Sequence, residues 1–174
     1  GEKAITLAIE EIKRIEALIS SWKTTSETSK INNAAGIKEQ HVSEELFELV
    51  DRSIKLSKLT DGAFDISYAS LDKVWKFDGS MTKFPSEESI SKSITNVGYK
   101  NIELNYENKT VFLKKKGMKI GFGAIGKGYA ADMAKSLLIS RGIESGLINA
   151  SGDISSWGKK PDGSSWKVAI TNPL

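Results

Sequence analysis

Ile5, Ala8, Ile9, Ile12, Ile15, Ile19 and Trp22 recur at steps of three and four, with Glu10, Glu11, Lys13, Arg14 and Glu16 between them. Residues so spaced share one helix face, so the pattern predicts an amphipathic helix over 4–22. The same spacing returns at Leu46, Phe47, Val50 and Ile54, behind Ser43, a suitable N-cap followed by Glu44 and Glu45. That helix is expected to stop at Thr60-Asp61-Gly62. Residues 23–40 between the two are rich in Thr, Ser, Asn and Gly and lack a period, which predicts a long irregular loop. A short helix opens at Pro85-Ser86-Glu87-Glu88 and is stopped by Gly98. A third long helix carries the stripe Tyr129, Met133, Ala134, Leu137 and Leu138.

Alternation replaces helical spacing at Ile102, Leu104 and Tyr106 and again at Val111 and Leu113, which predicts a β-hairpin around Glu107-Asn108. Further strands are expected at 118–122, 146–150 and 166–171, with turns at Ser151-Gly152-Asp153 and Asp162-Gly163-Ser164. An aromatic cluster of Leu71, Val74, Trp75 and Phe77 follows Ala63-Phe64-Asp65-Ile66-Ser67. Trp22, Trp75, Trp157 and Trp166 are expected in the core or at its rim. Helices mixed with hairpin-connected strands favour an α+β fold with an antiparallel sheet and packed helices, in a single domain over 1–174.

Composition narrows the class. A chain of 174 residues can bury roughly 70% of its unfolded surface and needs no disulfide or metal to supply a core. The absence of cysteine excludes a disulfide scaffold, a zinc ribbon, a Cys-ligated iron–sulfur cluster and a thiol nucleophile. The formal charge of +3 is spread along the chain, no basic surface is interleaved with aromatics, and nucleic acid is therefore disfavoured as a partner. Lys114-Lys115-Lys116 reads as a solvated guard on a strand edge. No apolar run approaches the ~18 residues of a membrane span. Gly1 in place of Met, and Asn172-Pro173-Leu174 directly after a strand-like run, read as the ends of a fragment.

Candidate chemistry concentrates in Gly121-Phe122-Gly123-Ala124-Ile125-Gly126-Lys127-Gly128. Glycines there let backbone approach a bulky ligand, and a helix starting near Lys127 would aim free N–H groups at an anion such as a phosphate. The run is neither Gly-x-Gly-x-x-Gly nor a Walker sequence, and a strand-to-helix turn packed on the sheet is the plain alternative. Thr60-Asp61-Gly62-Ala63-Phe64-Asp65 sets an aromatic beside a carboxylate, and equally reads as a helix stop. Asn149-Ala150-Ser151-Gly152-Asp153 is a small-residue turn with an amide and a carboxylate. His41, the only histidine, sits in a polar stretch and gives little support to a Ser-His-Asp apparatus.

Taken in order, six pieces resemble the ApbE family, the flavin transferases formerly described as thiamine-biosynthesis lipoproteins. They are Ser21-Trp22 with Ser26-Glu27 and Ser29-Lys30-Ile31-Asn32; Thr60 to Asp65; Leu71 with Trp75; Gly123 to Asp132; Asn149 to Asp153; and Trp166-Lys167-Val168-Ala169-Ile170. The resemblance implies an ApbE-type, T-fold-like domain, truncated at its C-terminus and lacking an N-terminal part. It implies an enzyme that binds FAD with Mg²⁺ and moves FMN onto a Thr or Ser hydroxyl of a target protein, releasing AMP. Some relatives instead hydrolyse FAD to FMN and AMP, and a non-catalytic flavin-binding or structural protein is a further alternative. By position, Asn32, Ala63, Phe64, Asp65 and Lys127 would contact FAD and the Ala124 carbonyl would bind Mg²⁺; no catalytic residue is assigned. Family members usually carry Asp where this chain has Gly121, so Gly121→Asp is expected to tighten FAD binding. The remaining metal ligands and a His-containing segment would lie beyond residue 174. A periplasmic or cell-envelope location, with a lipid anchor outside this chain, follows from the resemblance alone.

Overall fold

The computed structural model describes residues 1–72, 74, 75 and 78–169. Phe77 of the aromatic cluster, and the end of the last predicted strand with Asn172-Pro173-Leu174, lie outside the described residues. The chain forms two compact units, one of residues 17–122 and one of residues 1–16 with 123–174. Helix α1 (Glu2–Ile19) carries the first predicted stripe. It stops before Trp22, which is 84% exposed rather than part of a core. No helix among the described residues is long and apolar enough to cross a membrane.

The 17–122 unit holds α2 (Glu27–Asn33), β1 (Gln40–His41), α3 (Glu44–Leu59), a 3₁₀ turn (Ile66–Ser70), α4 (Glu87–Ser93), β2 (Ile102–Asn105) and β3 (Thr110–Leu113). Its three strands lie in the antiparallel order β1-β3-β2, with Ile102 opposite Leu113 and Asn105 opposite Thr110. Ser43 caps α3 as its sequence suggested, its hydroxyl accepting from the Leu46 amide at 3.3 Å. The helix closes where expected: Asp61 and Gly62 turn left-handed (φ 50 and 82) and the Gly62 amide returns to the Ser57 carbonyl at 2.8 Å. Leu46, Phe47, Val50, Ile66, Val111, Leu113, Met118 and Ile120 are buried. Phe47 meets the Tyr106 ring edge-on, with centroids 5.3 Å apart.

The predicted loop over 23–40 contains a helix, α2, of seven mostly polar residues. Seven residues are too few to show a period, yet Thr28, Ser29 and Ile31 are buried. The Ser26 hydroxyl accepts from the Ser29 amide at 3.0 Å, while the Thr28 and Ser29 hydroxyls donate to the Leu18 and Ser20 carbonyls. His41 lies at the exposed end of a two-residue strand.

In the other unit, α5 (Gly126–Ser140) packs on the antiparallel hairpin of β4 (Gly146–Ala150) and β5 (Asp153–Trp157). Ser151 and Gly152, both at positive φ (54 and 100), make the two-residue turn, with Ala150 opposite Asp153. β5 was not legible, because Asp153, Ser155 and Trp157 share one face and give no apolar alternation. The strand expected at 166–171 does not form over 166–169; there the Trp166 indole donates to the Trp157 carbonyl at 2.9 Å. Helices with antiparallel hairpins make the fold α+β, as the pattern predicted.

Candidate functional site

The segment 118–122, expected as a strand, pairs with no strand among the described residues; Met118, Ile120, Gly121 and Phe122 are buried and Lys119 is exposed. Side chains satisfy it instead. The Asn32 amide donates to the Ile120 carbonyl at 3.0 Å and accepts from the Ile120 amide at 2.8 Å, imitating one rung of a ladder. Ser70 does the same for Lys119, accepting from its amide at 2.7 Å and donating to its carbonyl at 2.8 Å. The Gly121 amide donates to the Ile66 carbonyl at 2.9 Å. Buried main-chain groups must find partners, and the Asn32 side chain supplies both for Ile120.

The turn at 60–65 is fixed by its own carboxylate. One Asp65 oxygen accepts from the Ser67 amide (2.7 Å) and hydroxyl (2.6 Å), and the other accepts from the Tyr99 amide at 2.7 Å. Asp65 therefore shapes the start of the 3₁₀ turn, leaving Ala63 exposed and Phe64 half-buried beside it. Asn32 and the Asp65–Ile66 turn thus converge on 120–121.

The division between the two compact units falls in the glycine-punctuated bend, between Phe122 and Gly123. From Gly123 to Gly128 the bend is accessible: Gly123, Ala124 and Lys127 are exposed, and a Cβ added at Gly128 would meet nothing within 4 Å. Helix α5 begins without a side-chain cap, so its first amides carry the partial positive charge of a helix start. Lys127 reaches the β4–β5 turn, donating to the Ser151 carbonyl at 3.3 Å and lying 3.6 Å from an Asp153 carboxylate oxygen. Asn149 holds that turn by accepting from the Gly152 amide at 2.8 Å. A hollow of about 300 Å³ opens beside it, lined by Gly128, Ala131, Asp132, Gly152, Asp153 and Ser155. The Ser155 hydroxyl donates to Asp132 at 2.9 Å.

The pattern that defines the ApbE family matches residues 2–174. The chain belongs to the ApbE family. It is similar to a FAD:protein FMN transferase of Klebsiella pneumoniae (strain 342), 29% identical over 162 residues, covering 91% of this chain and 46% of the relative. It is also similar to the FAD:protein FMN transferase of Buchnera aphidicola subsp. Schizaphis graminum, 32% identical over 144 residues, covering 80% of this chain and 42% of the relative. Among solved structures, the ApbE protein of Thermotoga maritima superposes with a TM-score of 0.81 at 33% identity, over 91% of this chain and 52% of that one. The chain spans about half the length of the curated relatives it matches.

Within this ApbE chain, the residues singled out from sequence fall into two groups. Asn32 and Asp65 spend their polar atoms on the protein, one on Ile120 and one on Ser67 and Tyr99. Ala124 and Lys127 are exposed on the bend and on the first turn of α5. Sequence reasoning missed Asp153 as the partner of Lys127; the signal available was the two-residue Ser-Gly hairpin turn, which sets Asp153 opposite Ala150. Among the described residues no three His, Cys, Asp or Glu side chains gather as a metal site. A main-chain oxygen such as that of Ala124 is the hard donor Mg²⁺ takes, but an octahedral shell needs about six. One main-chain oxygen does not by itself make a Mg²⁺ site, and the described residues supply no such shell.

Proposed function

We propose that the protein takes part in transferring FMN from FAD to a Thr or Ser hydroxyl of an acceptor protein, releasing AMP, with Mg²⁺ as cofactor. The accessible bend from Gly123 to Lys127, opening an uncapped helix in a chain of the ApbE family, is the observation that carries this reading. Transfer of a phosphoryl group depends more on positioning and charge neutralisation than on covalent help from the protein. In the reaction the acceptor hydroxyl oxygen bonds to the flavin-side phosphorus as the bond to the bridging oxygen breaks. AMP leaves with that oxygen, and the hydroxyl proton passes to solvent or a base.

In this reading Lys127 and the first amides of α5 bind and orient the diphosphate. In the 17–122 unit, taken by itself, Asn32 and Asp65 hold in place the 120–121 segment and the 60–65 turn that carries Ala63 and Phe64. When bound, Mg²⁺ would neutralise charge across the diphosphate, with the Ala124 carbonyl among its ligands. The acceptor is a protein presenting Thr or Ser, and the location is the periplasm or cell envelope, by way of a lipid anchor outside this chain.

A test mixes full-length protein, FAD, Mg²⁺ and a candidate acceptor domain, and follows acceptor mass and AMP. A flavin adduct that survives denaturation supports the transferase reading. AMP without an adduct identifies an FAD pyrophosphatase, with water as nucleophile. FAD binding with neither product identifies a flavin carrier, the reading that Gly121 favours.

A further inference from the structure

We propose that the hydroxyls of Tyr68 and Ser21 form a polar lip beside Gly121 that hydrogen-bonds the flavin end of the nucleotide, with Tyr68 the principal contact. The inference rests on the FAD reading above. Gly121 is buried and its amide is fixed to Ile66. A Cβ placed on it would lie 3.0 Å from the Ala69 Cβ, 3.8 Å from the Tyr68 hydroxyl and 3.9 Å from the Ser21 hydroxyl. Two hydroxyls from separate segments therefore converge on one point, and a glycine at that point leaves them uncovered.

These two hydroxyls differ from their neighbours. Ser20 accepts from the Trp22 and Lys23 amides, and Ser26, Thr28, Ser29, Ser67 and Ser70 all hydrogen-bond within the protein. The side-chain hydroxyls of Tyr68 and Ser21 have no protein hydrogen-bond partner among the described residues. Both remain accessible, Tyr68 at 40%. The turn that presents Tyr68 is fixed on both sides: its amide donates to the Asp65 carbonyl at 3.2 Å and its carbonyl accepts from the Leu71 amide at 2.9 Å. Ser70 and Asp65 bind that turn to the rest of the unit.

Neutral hydroxyls that both donate and accept suit ring carbonyls, ring nitrogens and sugar hydroxyls. A phosphate would call for cationic donors. The flavin ring with its ribityl chain offers that neutral set, and Phe64 on the preceding turn supplies an apolar neighbour in sequence.

The test measures dissociation constants of FAD, riboflavin and AMP for the full-length protein and for Tyr68→Phe and Ser21→Ala, with melting curves as a folding control. Tyr68→Phe should weaken FAD and riboflavin by the same factor, roughly threefold to tenfold for one neutral hydrogen bond, and leave AMP unchanged. Ser21→Ala should do so to a smaller degree. If FAD binds and both variants bind it as the wild type does, this inference alone falls. Equal losses for AMP and riboflavin overturn the assignment to the flavin end. A wild-type protein that binds no FAD overturns the functional reading and this one with it.

Discussion

Ala69 occupies the space a side chain on Gly121 would need: their Cβ positions would stand 3.0 Å apart. Ordinary carbon contacts lie near 3.5–4.0 Å, so any larger residue at 121 must push the 3₁₀ turn. The Ile66 carbonyl that receives the Gly121 amide opens that same turn, which limits how far it can move. Gly121→Asp alone should therefore cost about 1–3 kcal/mol of stability through overpacking. In an Ala69→Gly background that cost should shrink, so any gain in FAD binding from a carboxylate at 121 is read there without the packing loss. A double-mutant cycle by denaturant unfolding checks this, since contacting residues couple. Additive effects would show that the two positions are independent.

Asn32 and Ile120 are 88 positions apart and paired through both amide groups. Ile120 is fully buried, so Asn32→Ala leaves a main-chain donor and acceptor unmet and should cost roughly 1–3 kcal/mol for each. Asn32→Asp keeps the acceptor but turns an oxygen towards the Ile120 carbonyl, and should be no better. FAD binding should fall only as far as the 120–121 segment loosens, read as faster hydrogen exchange at Ile120 and Gly121. Asn32→Ala with unchanged melting would remove this pairing from the fold's supports.

The long helices and the 102–113 hairpin were legible because each has a period; for α3 the ends are marked chemically as well, by Ser43 and Gly62. The segment 118–122 was not, because an apolar run says nothing of whether strands or side chains satisfy its backbone. The pairing of Asn32 with Ile120 joins distant positions and leaves no local trace. β5 was hidden by Ser155, a polar residue buried against Asp132 where a strand pattern expects an apolar one. The glycines of the bend marked the accessible turn, but not that Lys127 would meet Asp153.

Asp51 joins α3 to the β2–β3 turn, accepting from Lys55 at 2.6 Å and from the Tyr106 hydroxyl at 2.7 Å. Burial pushes its carboxyl up, yet the hydrogen bonds from Lys55 and Tyr106 more than offset this, and it titrates below the usual value. A carboxyl lowered in the folded state adds stability that is complete above its unfolded value, about 3.9, and is lost as pH falls through the folded one. Asp51→Asn should cost up to about 1 kcal/mol at neutral pH, the scale of a surface pair. That gap should close below about pH 4, followed by urea unfolding. A gap of constant size into strong acid would show that the ionised form is not what holds the turn.

Lys127 and Asp153 are both about half exposed at 3.6 Å, a pair that solvent and salt weaken. Lys127→Ala should therefore change melting little. A charge-assisted contact to a diphosphate is worth more, about 1.5–3 kcal/mol, so FAD affinity should fall about tenfold or further. Under the proposed function, Asp153 and the diphosphate draw on the same ammonium group. Asp153→Asn removes that competitor without removing the cation, and should leave FAD affinity equal or higher. Titrations at low and high salt separate the contributions: the wild-type affinity should decline with salt more steeply than that of Lys127→Ala. If Lys127→Ala binds FAD as the wild type does, Lys127 leaves the site; if Asp153→Asn binds it as poorly as Lys127→Ala, the carboxylate orients the lysine and does not compete for it.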